Sequence, residues 1–407
     1  MIKEATLDHP RHEEAKDSYH LDERQWTRVR NSIVFVLLAA WVASGAGYVL
    51  DRTQFNFSYL VGFVFFVSIA LGGLFFTMVQ YLTGSAWSVT MRRFMEAIGA
   101  SLPAGILLFV PIALGLSDLY KWTNHDLVAN DHILHGKASY LNENFFLIRA
   151  GVCILIWSLW GWRLFSNSVR QDRTKSIEHM HTASRWSAPG LLVVMVTGSV
   201  AAFDWVMSLD PHWYSTIFGI YVLSGGALAF MATMTLICLA FRSSGILSRT
   251  ITIEHMHDLG KWMFALTIFW AYIAFSQYLL IWYANMPEET LFYKHRFEGS
   301  WGLWSLLLLA GHFIAPFLIL MRRAAKRSTK VLGVMAVWIL FIHFVDVYWL
   351  IMPTYSEHGF HLHWLDLATL AAVGSVFALV FWARFRRNSL VAYGDPRFEQ
   401  GLHFHNV

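Results

Sequence analysis

Ten apolar runs, each about long enough to cross a lipid bilayer as a helix, follow one another along the chain. Inside lipid the backbone must satisfy its own hydrogen bonds, so each run is expected to be helical. Only 14% of the 407 residues are charged, against about 25% in a soluble domain. The sequence therefore predicts an all-α integral membrane protein with about ten transmembrane helices. The expected spans are residues 32–50, 58–83, 94–116, 144–165, 188–209, 214–241, 260–286, 299–321, 331–352 and 364–383.

The connections between these runs alternate in positive charge. Of the 31 Lys and Arg residues, 25 fall on the side that also carries both termini, and 6 fall on the other side. The positive-inside rule places the richer side in the cytoplasm. We therefore expect a cytoplasmic N-terminal tail (1–31), a transmembrane domain with an internal repeat (32–383) and a cytoplasmic C-terminal tail (384–407). The first 30 residues are too polar, and the first run too long, for a signal peptide.

The stretch FDWVMSLDPHWYSTIFGIYVLSGG (203–226) carries polar groups where a membrane would meet water. A carboxylate inside an apolar run costs roughly 2.5 kcal/mol or more in lipid, so Asp204 is expected to face protein or water and to have a function. A quinone site needs an apolar slot and a group that exchanges protons with the ring oxygens. This stretch supplies both in its candidate quinone-binding residues, which are Asp204, Trp205, His212 and Trp213.

Other ionisable or polar side chains lie at membrane depth and are candidates for a proton path. They are Glu96, Asp204, Tyr272, Gln277, His312, His343 and Asp346. Carboxylates, imidazoles and hydroxyls in series can pass protons through a helical bundle. Two alternatives remain open: these groups bond to one another as interhelical contacts, or His312 and His343 are axial ligands of a b-type haem.

A four-residue motif occurs twice. Glu178-His179-Met180-His181 is repeated 76 residues later as Glu254-His255-Met256-His257, and Trp186 and Trp262 share that offset. The motifs are interpreted as proton-gathering groups or as helix caps inherited through a duplication. Internal repeats also occur in secondary transporters, so a proton- or ion-coupled transporter is the alternative function.

Two loops on the expected outer side are rich in acids and histidines. They are 117–143 and 353–363, the second including Glu357 and His358. They are interpreted as solvated loops, with a metal site or a docking face for an external protein as the alternatives. His361 and His363 lack a third ligand at a defined spacing, so no metal ligands are assigned. The two cysteines, Cys153 and Cys238, are too few for an iron–sulfur cluster, and no CxxCH haem-attachment motif is present.

Three separated segments resemble the NrfD/polysulfide-reductase family of membrane subunits. They are DWVMSLDPHWYSTIFG (204–219), QYLLIWYANMPEET (277–290) and HFVDVYWLIMP (343–353). Within that family the likeness is greatest to the F subunits of Alternative Complex III, which is a bacterial quinol:electron-acceptor oxidoreductase. The resemblance extends over essentially the whole chain.

The resemblance implies two four-helix bundles with flanking helices and both termini in the cytoplasm. It also implies a bacterial inner-membrane subunit of a quinol:cytochrome c oxidoreductase that scaffolds the membrane arm and offers a quinone site or a proton path. Quinol or menaquinol would be the ligand, and Asp204 the position most like the family's quinol-site aspartate. No redox cofactor is expected in this chain. The expected partners are lipids, a related membrane subunit, an iron–sulfur subunit and c-type cytochrome subunits, without nucleic acid.

Overall fold

The computed structural model describes residues 17–356 and 359–406, and within that part the regular structure is entirely helical. Glu357 and His358 of the second outer loop lie outside the described residues. Ten helices in the described part are long and apolar enough to cross a membrane, which confirms the predicted multi-pass class. They are α1 (Glu23–Leu50), α2 (Arg52–Leu82), α3 (Arg92–Leu114), α4 (Glu143–Thr174), α5 (Glu178–Leu209), α6 (Phe218–Ser243), α7 (Ile253–Ala284), α8 (Trp301–Leu320), α9 (Thr329–Thr354) and α10 (Trp364–Ala383).

Several helices are longer than the apolar runs that predicted them. Helix α1 begins at Glu23, nine residues before the predicted start at residue 32. Asp22 and Gln25 form a capping box there, which stabilises the earlier start. Helix α4 continues to Thr174, and α7 begins at Ile253. Hydropathy marks the part of a helix that sits in hydrocarbon, whereas capping and backbone hydrogen bonds determine where the helix ends. Part of the predicted tail 1–31 is therefore helical, from Glu23 onward.

Proline interrupts two of the spans. Helix α3 is broken near Pro103 and again near Pro111. Helix α8 contains a π-helical turn over Leu309–Ile314, directly before Pro316. Proline has no N–H to donate to the carbonyl four residues earlier, so the hydrogen-bond pattern of α8 shifts at this point. His312 lies inside that turn.

Helix α2 is the central element of the molecule, and 89% of its most apolar window is buried. It contacts α3, α5, α6, α9 and α10. The close approach of α2 to α6 requires glycine, because a Cβ on Gly226 would lie 2.7 Å from the Ser68 carbonyl oxygen. Helix α1, by contrast, is only 17% buried over its window and packs mainly on α10.

The two ends of the helical array differ. The basic end holds the segments around Arg92, Arg242 and Arg323, together with the chain after Ala383. The opposite end holds three short helices, His125–Asn130, His132–Lys137 and Pro287–Phe297. At the basic end the C-terminal segment is packed against the helices: the Leu390 N–H donates to the Tyr19 carbonyl at 2.8 Å, and the Gly401 carbonyl accepts from His255 at 3.0 Å.

Candidate functional site

Asp346 on α9 lies at the centre of a buried polar cluster. Its carboxyl group accepts two hydrogen bonds, one from the Tyr221 hydroxyl on α6 at 2.5 Å and one from the Trp270 indole on α7 at 3.1 Å. The side chain is 2% exposed. Both donors are neutral, so the bonds orient this carboxyl group without supplying a compensating charge.

His312 is the group nearest to that carboxyl on the α8 side. Its Nδ1 lies 3.8 Å from Asp346 Oδ2, and neither ring nitrogen has a hydrogen-bond partner among the described residues. The imidazole packs against the Trp270 ring, with ring centroids 3.8 Å apart. The π-helical turn of α8 is held by Trp338, whose indole donates to the Gly311 carbonyl at 2.8 Å. The irregular turn therefore presents a buried imidazole to the Asp346 carboxyl.

His343 lies one turn before Asp346 on α9. Its Nε2 is 3.0 Å from the Ser68 hydroxyl, which donates its proton to the Phe65 carbonyl at 2.9 Å. The tautomer of His343 decides which of the two, Nε2 or the Ser68 hydroxyl, donates in that hydrogen bond. A Cβ on Gly225 would lie 3.2 Å from His343 Nδ1 and 3.4 Å from Asp346 Oδ2, so glycine lets α6 approach both groups.

The structure brings His312 and His343 together, with ring centroids 6.4 Å apart. The residues around them do not fit a haem. One ring lies against Trp270, and the other lies 5.3 Å from the Phe65 ring with its Nε2 bonded to Ser68. Axial ligands need a free ring nitrogen directed at the iron and a planar space between the rings. His343 Nε2 is bonded to Ser68 and its Nδ1 faces Gly225 of α6, so this ring has no nitrogen free for iron.

A cavity of about 650 Å³ lies between α7, α8 and the short helix Pro287–Phe297, and it reaches the cluster. Its inner wall includes Tyr221 and Trp270, which are the two donors to Asp346. Its outer rim includes Tyr272 and Phe275, which are 65% and 59% exposed on the face of α7 that lipid would cover. The cavity therefore connects the apolar surface of the protein with the side chains that hold the buried carboxyl.

Gln277 and Tyr293 are the main polar groups elsewhere on the cavity wall. The Gln277 amide donates to the Tyr293 hydroxyl at 3.1 Å and accepts from the Ser215 hydroxyl at 3.1 Å. Gln277 was predicted as a proton-path residue, and it lines the same cavity as Tyr272. Neither side chain forms a hydrogen bond with Asp346, His312 or His343 among the described residues.

Asp204 on α5 lies in a different environment. Its carboxylate forms a two-point ion pair with Arg149 of α4, with N–O distances of 2.7 and 3.0 Å. The guanidinium also lies over the Tyr140 ring at 3.8 Å. Sequence reasoning missed Arg149 as a partner, although a cation five residues inside the predicted fourth span was a visible signal. The carboxylate is thus held in place by a full positive charge.

The other predicted quinone residues have different surroundings. Trp205 packs edge-on against Trp157 with centroids 5.8 Å apart, and Trp213 stacks on Phe292 at 4.0 Å. Both tryptophans are buried. His212 is at the surface, where its Nε2 lies 2.6 Å from the Asp131 carboxylate. None of these side chains, nor Asp204, lines the cavity beside Asp346, and Trp205 lines a small cavity of about 20 Å³.

Glu96 belongs to a third cluster, at the basic end. It accepts from the Tyr81 hydroxyl at 2.8 Å and from Arg92 at 3.1 Å, and Arg93 lies 3.3 Å away. Arg92 also pairs with Asp395 of the C-terminal segment at 2.8 Å. Burial opposes ionisation of Asp395, but the Arg92 and Arg397 guanidinium groups and the Arg397 N–H together outweigh it and hold the pKa of that carboxyl below its usual range. No hydrogen bond between described residues joins this cluster directly to Asp346.

The two copies of the Glu-His-Met-His motif differ in their surroundings. In the first copy, at the start of α5, Glu178 and His181 are exposed. In the second copy, at the start of α7, all four residues are buried, with Glu254 paired to Arg327 and His255 bonded to Thr252 and Gly401. The second copy thus joins α7 to the short helix Arg323–Arg327 and to the C-terminal segment.

The loops at the opposite end contain no group of three or more His, Cys, Asp or Glu side chains suited to a metal ion, within residues 17–356 and 359–406. Asp131 caps the short helix His132–Lys137 and binds His212. The hydrogen bond from His212, with the Leu134 and Ile133 N–H groups, holds the pKa of the Asp131 carboxyl below its usual range.

No protein-family model matches the chain, and no curated protein matches it.

Proposed function

We propose that this chain is a membrane subunit of a bacterial respiratory quinol:electron-acceptor oxidoreductase of the Alternative Complex III type, in the cytoplasmic membrane. It scaffolds the membrane arm and exchanges protons through the cluster of Asp346, His312 and His343. The observation that carries the proposal is the lipid-facing cavity that ends at Tyr221 and Trp270, the two donors to Asp346.

Quinol oxidation releases protons into a site that must also accept an apolar tail. The cavity offers aromatic and aliphatic walls for the ring and tail, with Phe275 and Leu309 near the lipid. Tyr221 connects its inner wall with the Asp346 carboxyl, and His312 lies beyond that carboxyl. A hydroxyl, a carboxyl and an imidazole in series form a path along which a proton can move. Electrons would pass to iron–sulfur clusters and c-type haems on partner subunits.

The helix contacts agree with two four-helix bundles. In the first group, α2 contacts α3 and α5, and α4 contacts α3 and α5. In the second, α6 contacts α7 and α9, and α8 contacts α7 and α9. Helices α1 and α10 pack together beside α2. On this proposal the first bundle is structural around Asp204 and Arg149, the second holds the proton-exchanging cluster, and both termini are cytoplasmic.

Photo-crosslinking of the assembled complex with an azido-quinone tests the proposal. We expect labelled peptides from α7 and α8, around residues 268–278 and 305–313. Ala274→Phe should reduce the labelling because this residue lines the cavity, while Ala265→Phe, on an exposed face of the same helix outside the cavity, should not. Label confined to residues 204–213 would restore the Asp204 site and exclude the cavity. Label only on a sister subunit would leave this chain a scaffold.

The proton role has a separate test. Asp346→Asn and His343→Leu should impair proton translocation by the assembled complex while leaving its assembly intact. Normal translocation in both variants would contradict the proposed path.

A secondary transporter is the second candidate, and the repeated motif at the starts of α5 and α7 favours it. Purification from native membranes separates the two functions. A complex subunit should co-purify with haem-bearing partners, whereas a transporter should purify alone and move its substrate in liposomes.

A further inference from the structure

A second large cleft lies at the basic end, far from the Asp346 cluster along the helices. It has a volume of about 670 Å³ and is bounded by the first turns of α1, the end of α6 and the end of α10. Its apolar wall includes Val29, Phe241 and Trp382. Trp382 is fixed there by reciprocal bonds, because its indole donates to the Trp26 carbonyl at 3.0 Å and the Trp26 indole donates to the Trp382 carbonyl at 3.2 Å.

Two arginines line the same cleft. Arg24 and Arg28 are four residues apart on α1, so they lie on one face of the helix. Both are exposed, and neither forms an ion pair or a side-chain hydrogen bond with another described residue. The nearest acids in the sequence are already engaged: Asp22 caps α1, and Glu23 lies 3.6 Å from Arg386. Among residues 17–356 and 359–406, no acid compensates these two positive charges, which lie beside an apolar wall.

The position along α1 matches the headgroup level of a bilayer. The 22 residues from Val29 to Leu50 rise about 33 Å as a helix, close to the roughly 30 Å of a hydrocarbon core. Large exposed apolar side chains occupy that part of α1, from Val29 to Leu50. Arg24 and Arg28 then lie just outside the hydrocarbon, at the end that the positive-inside rule assigns to the cytoplasm.

We propose that this cleft binds an anionic phospholipid of the cytoplasmic leaflet. The lipid phosphate lies between the Arg24 and Arg28 guanidinium groups, and an acyl chain lies against Phe241 and Trp382. Guanidinium groups bind phosphate oxygens through paired, charge-assisted hydrogen bonds, and basic pockets between transmembrane helices bind anionic headgroups. The site does not depend on quinol oxidation or on the Asp346 cluster.

Native mass spectrometry of the full-length chain in detergent, titrated with dioleoylphosphatidylglycerol, tests the proposal. The double variant Arg24→Gln/Arg28→Gln should bind this lipid about thirtyfold more weakly, since each basic residue near an anionic membrane surface contributes several-fold to affinity. The matched control is Arg322→Gln/Arg323→Gln, an exposed arginine pair at the same end outside the cleft, and it should change the affinity less than twofold. Ala240→Phe, which fills the cleft without changing its charge, should also weaken binding.

Three further measurements distinguish other occupants. Dioleoylphosphatidylcholine should bind at least tenfold more weakly than the anionic lipid, and inorganic phosphate should not compete at millimolar concentration. Equal binding of the two lipids would make the cleft an unselective apolar groove, and competition by phosphate would make it a simple anion site. Binding that appears only after deletion of residues 1–16 would assign the cleft to the chain's own N-terminal segment. Each of these results, or unchanged binding in Arg24→Gln/Arg28→Gln, overturns the proposal.

Discussion

Asp204 and Asp346 are both buried carboxyl groups at membrane depth, yet the protein surrounds them differently. Asp204 is bonded at two points to the guanidinium of Arg149. Asp346 is bonded to the Tyr221 hydroxyl and the Trp270 indole, with the uncommitted imidazole of His312 nearby. The first carboxyl has a permanent countercharge, and the second has only neutral donors.

This difference separates a structural role from a proton-exchanging one. An ion pair of this kind is stable only while both partners are charged, so protonation of the buried Asp204 would leave the half-buried Arg149 guanidinium without a countercharge. Asp346 can gain or lose a proton without breaking a salt bridge to an arginine or lysine, and the nearest titratable ring nitrogen, His312 Nδ1, lies 3.8 Å from its Oδ2. The sequence marked both carboxyl groups as candidates for function, and their partners in the structure are the reason to assign them different roles.

Breaking the Asp204–Arg149 pair should have the largest effect on stability. Asp204→Asn leaves the half-buried guanidinium without a countercharge, so we expect the free energy of unfolding to fall by about 3–5 kcal/mol. Chemical unfolding in detergent micelles measures it. The double variant Asp204→Leu/Arg149→Met should recover most of the loss, because it removes both charges. A loss below 1 kcal/mol in Asp204→Asn would show that the pair is not a structural requirement.

Crowding the Asp346 cluster should lower the free energy of unfolding by a smaller amount. Gly225→Ala would place a methyl group 3.2 Å from His343 Nδ1, where Ser68 already fixes the ring. Overpacking of this kind costs about 1–3 kcal/mol. The control is Gly151→Ala, because a methyl group at Gly151 on α4 would lie in open space. Gly245→Ala would not serve, because Gly245 has a φ of +78°, a conformation that alanine rarely adopts. If both variants unfold like the native protein, the packing around His343 is looser than the distances indicate.

Removing one of the two neutral hydrogen-bond donors to Asp346 should lower the stability of the fold by less than crowding the cluster does. Trp270→Phe deletes the indole N–H but keeps an aromatic ring against His312, and the loss of one hydrogen bond costs about 1 kcal/mol. Thermal unfolding compared with Tyr272→Phe, on the exposed face of the same helix, measures the difference. A loss as large as that of Asp204→Asn would mean that Asp346 is as dependent on its partners as Asp204 is.

The smallest expected change in stability is local, and it concerns the contact between Asp131 and His212 at the end opposite the basic end. The pKa of Asp131 is lowered in the folded protein, so its stabilising contribution is complete above its unfolded pKa, about 3.9, and is lost as the pH falls through the folded value. Hydrogen-exchange protection of residues 131–137, corrected for intrinsic rates, should therefore decrease below about pH 4. Asp131→Asn should show reduced protection at all pH values. Protection that is independent of pH in the native protein would contradict this.

The sequence predicted the class of the fold well, because each span is recorded locally as an apolar run. All ten spans were found, and the errors lay at their ends, as at Glu23, where a capping box sets the start of the helix.

The candidate site was predicted less well than the fold. His312, His343 and Asp346 were named together, but their partners Tyr221, Trp270 and Ser68 come from three other helices and carry no common spacing signal. Likewise, the partnership of Arg149 with Asp204 depends on how α4 packs on α5.

Infrared difference spectroscopy of the purified chain between acidic and neutral pH tests the distinction between the two carboxyl groups most directly. We expect a carboxylic-acid C=O band from a buried group that titrates. That band should disappear in Asp346→Asn and remain in Asp204→Asn. A band lost in Asp204→Asn and retained in Asp346→Asn would contradict the assignment of proton exchange to the Asp346 cluster.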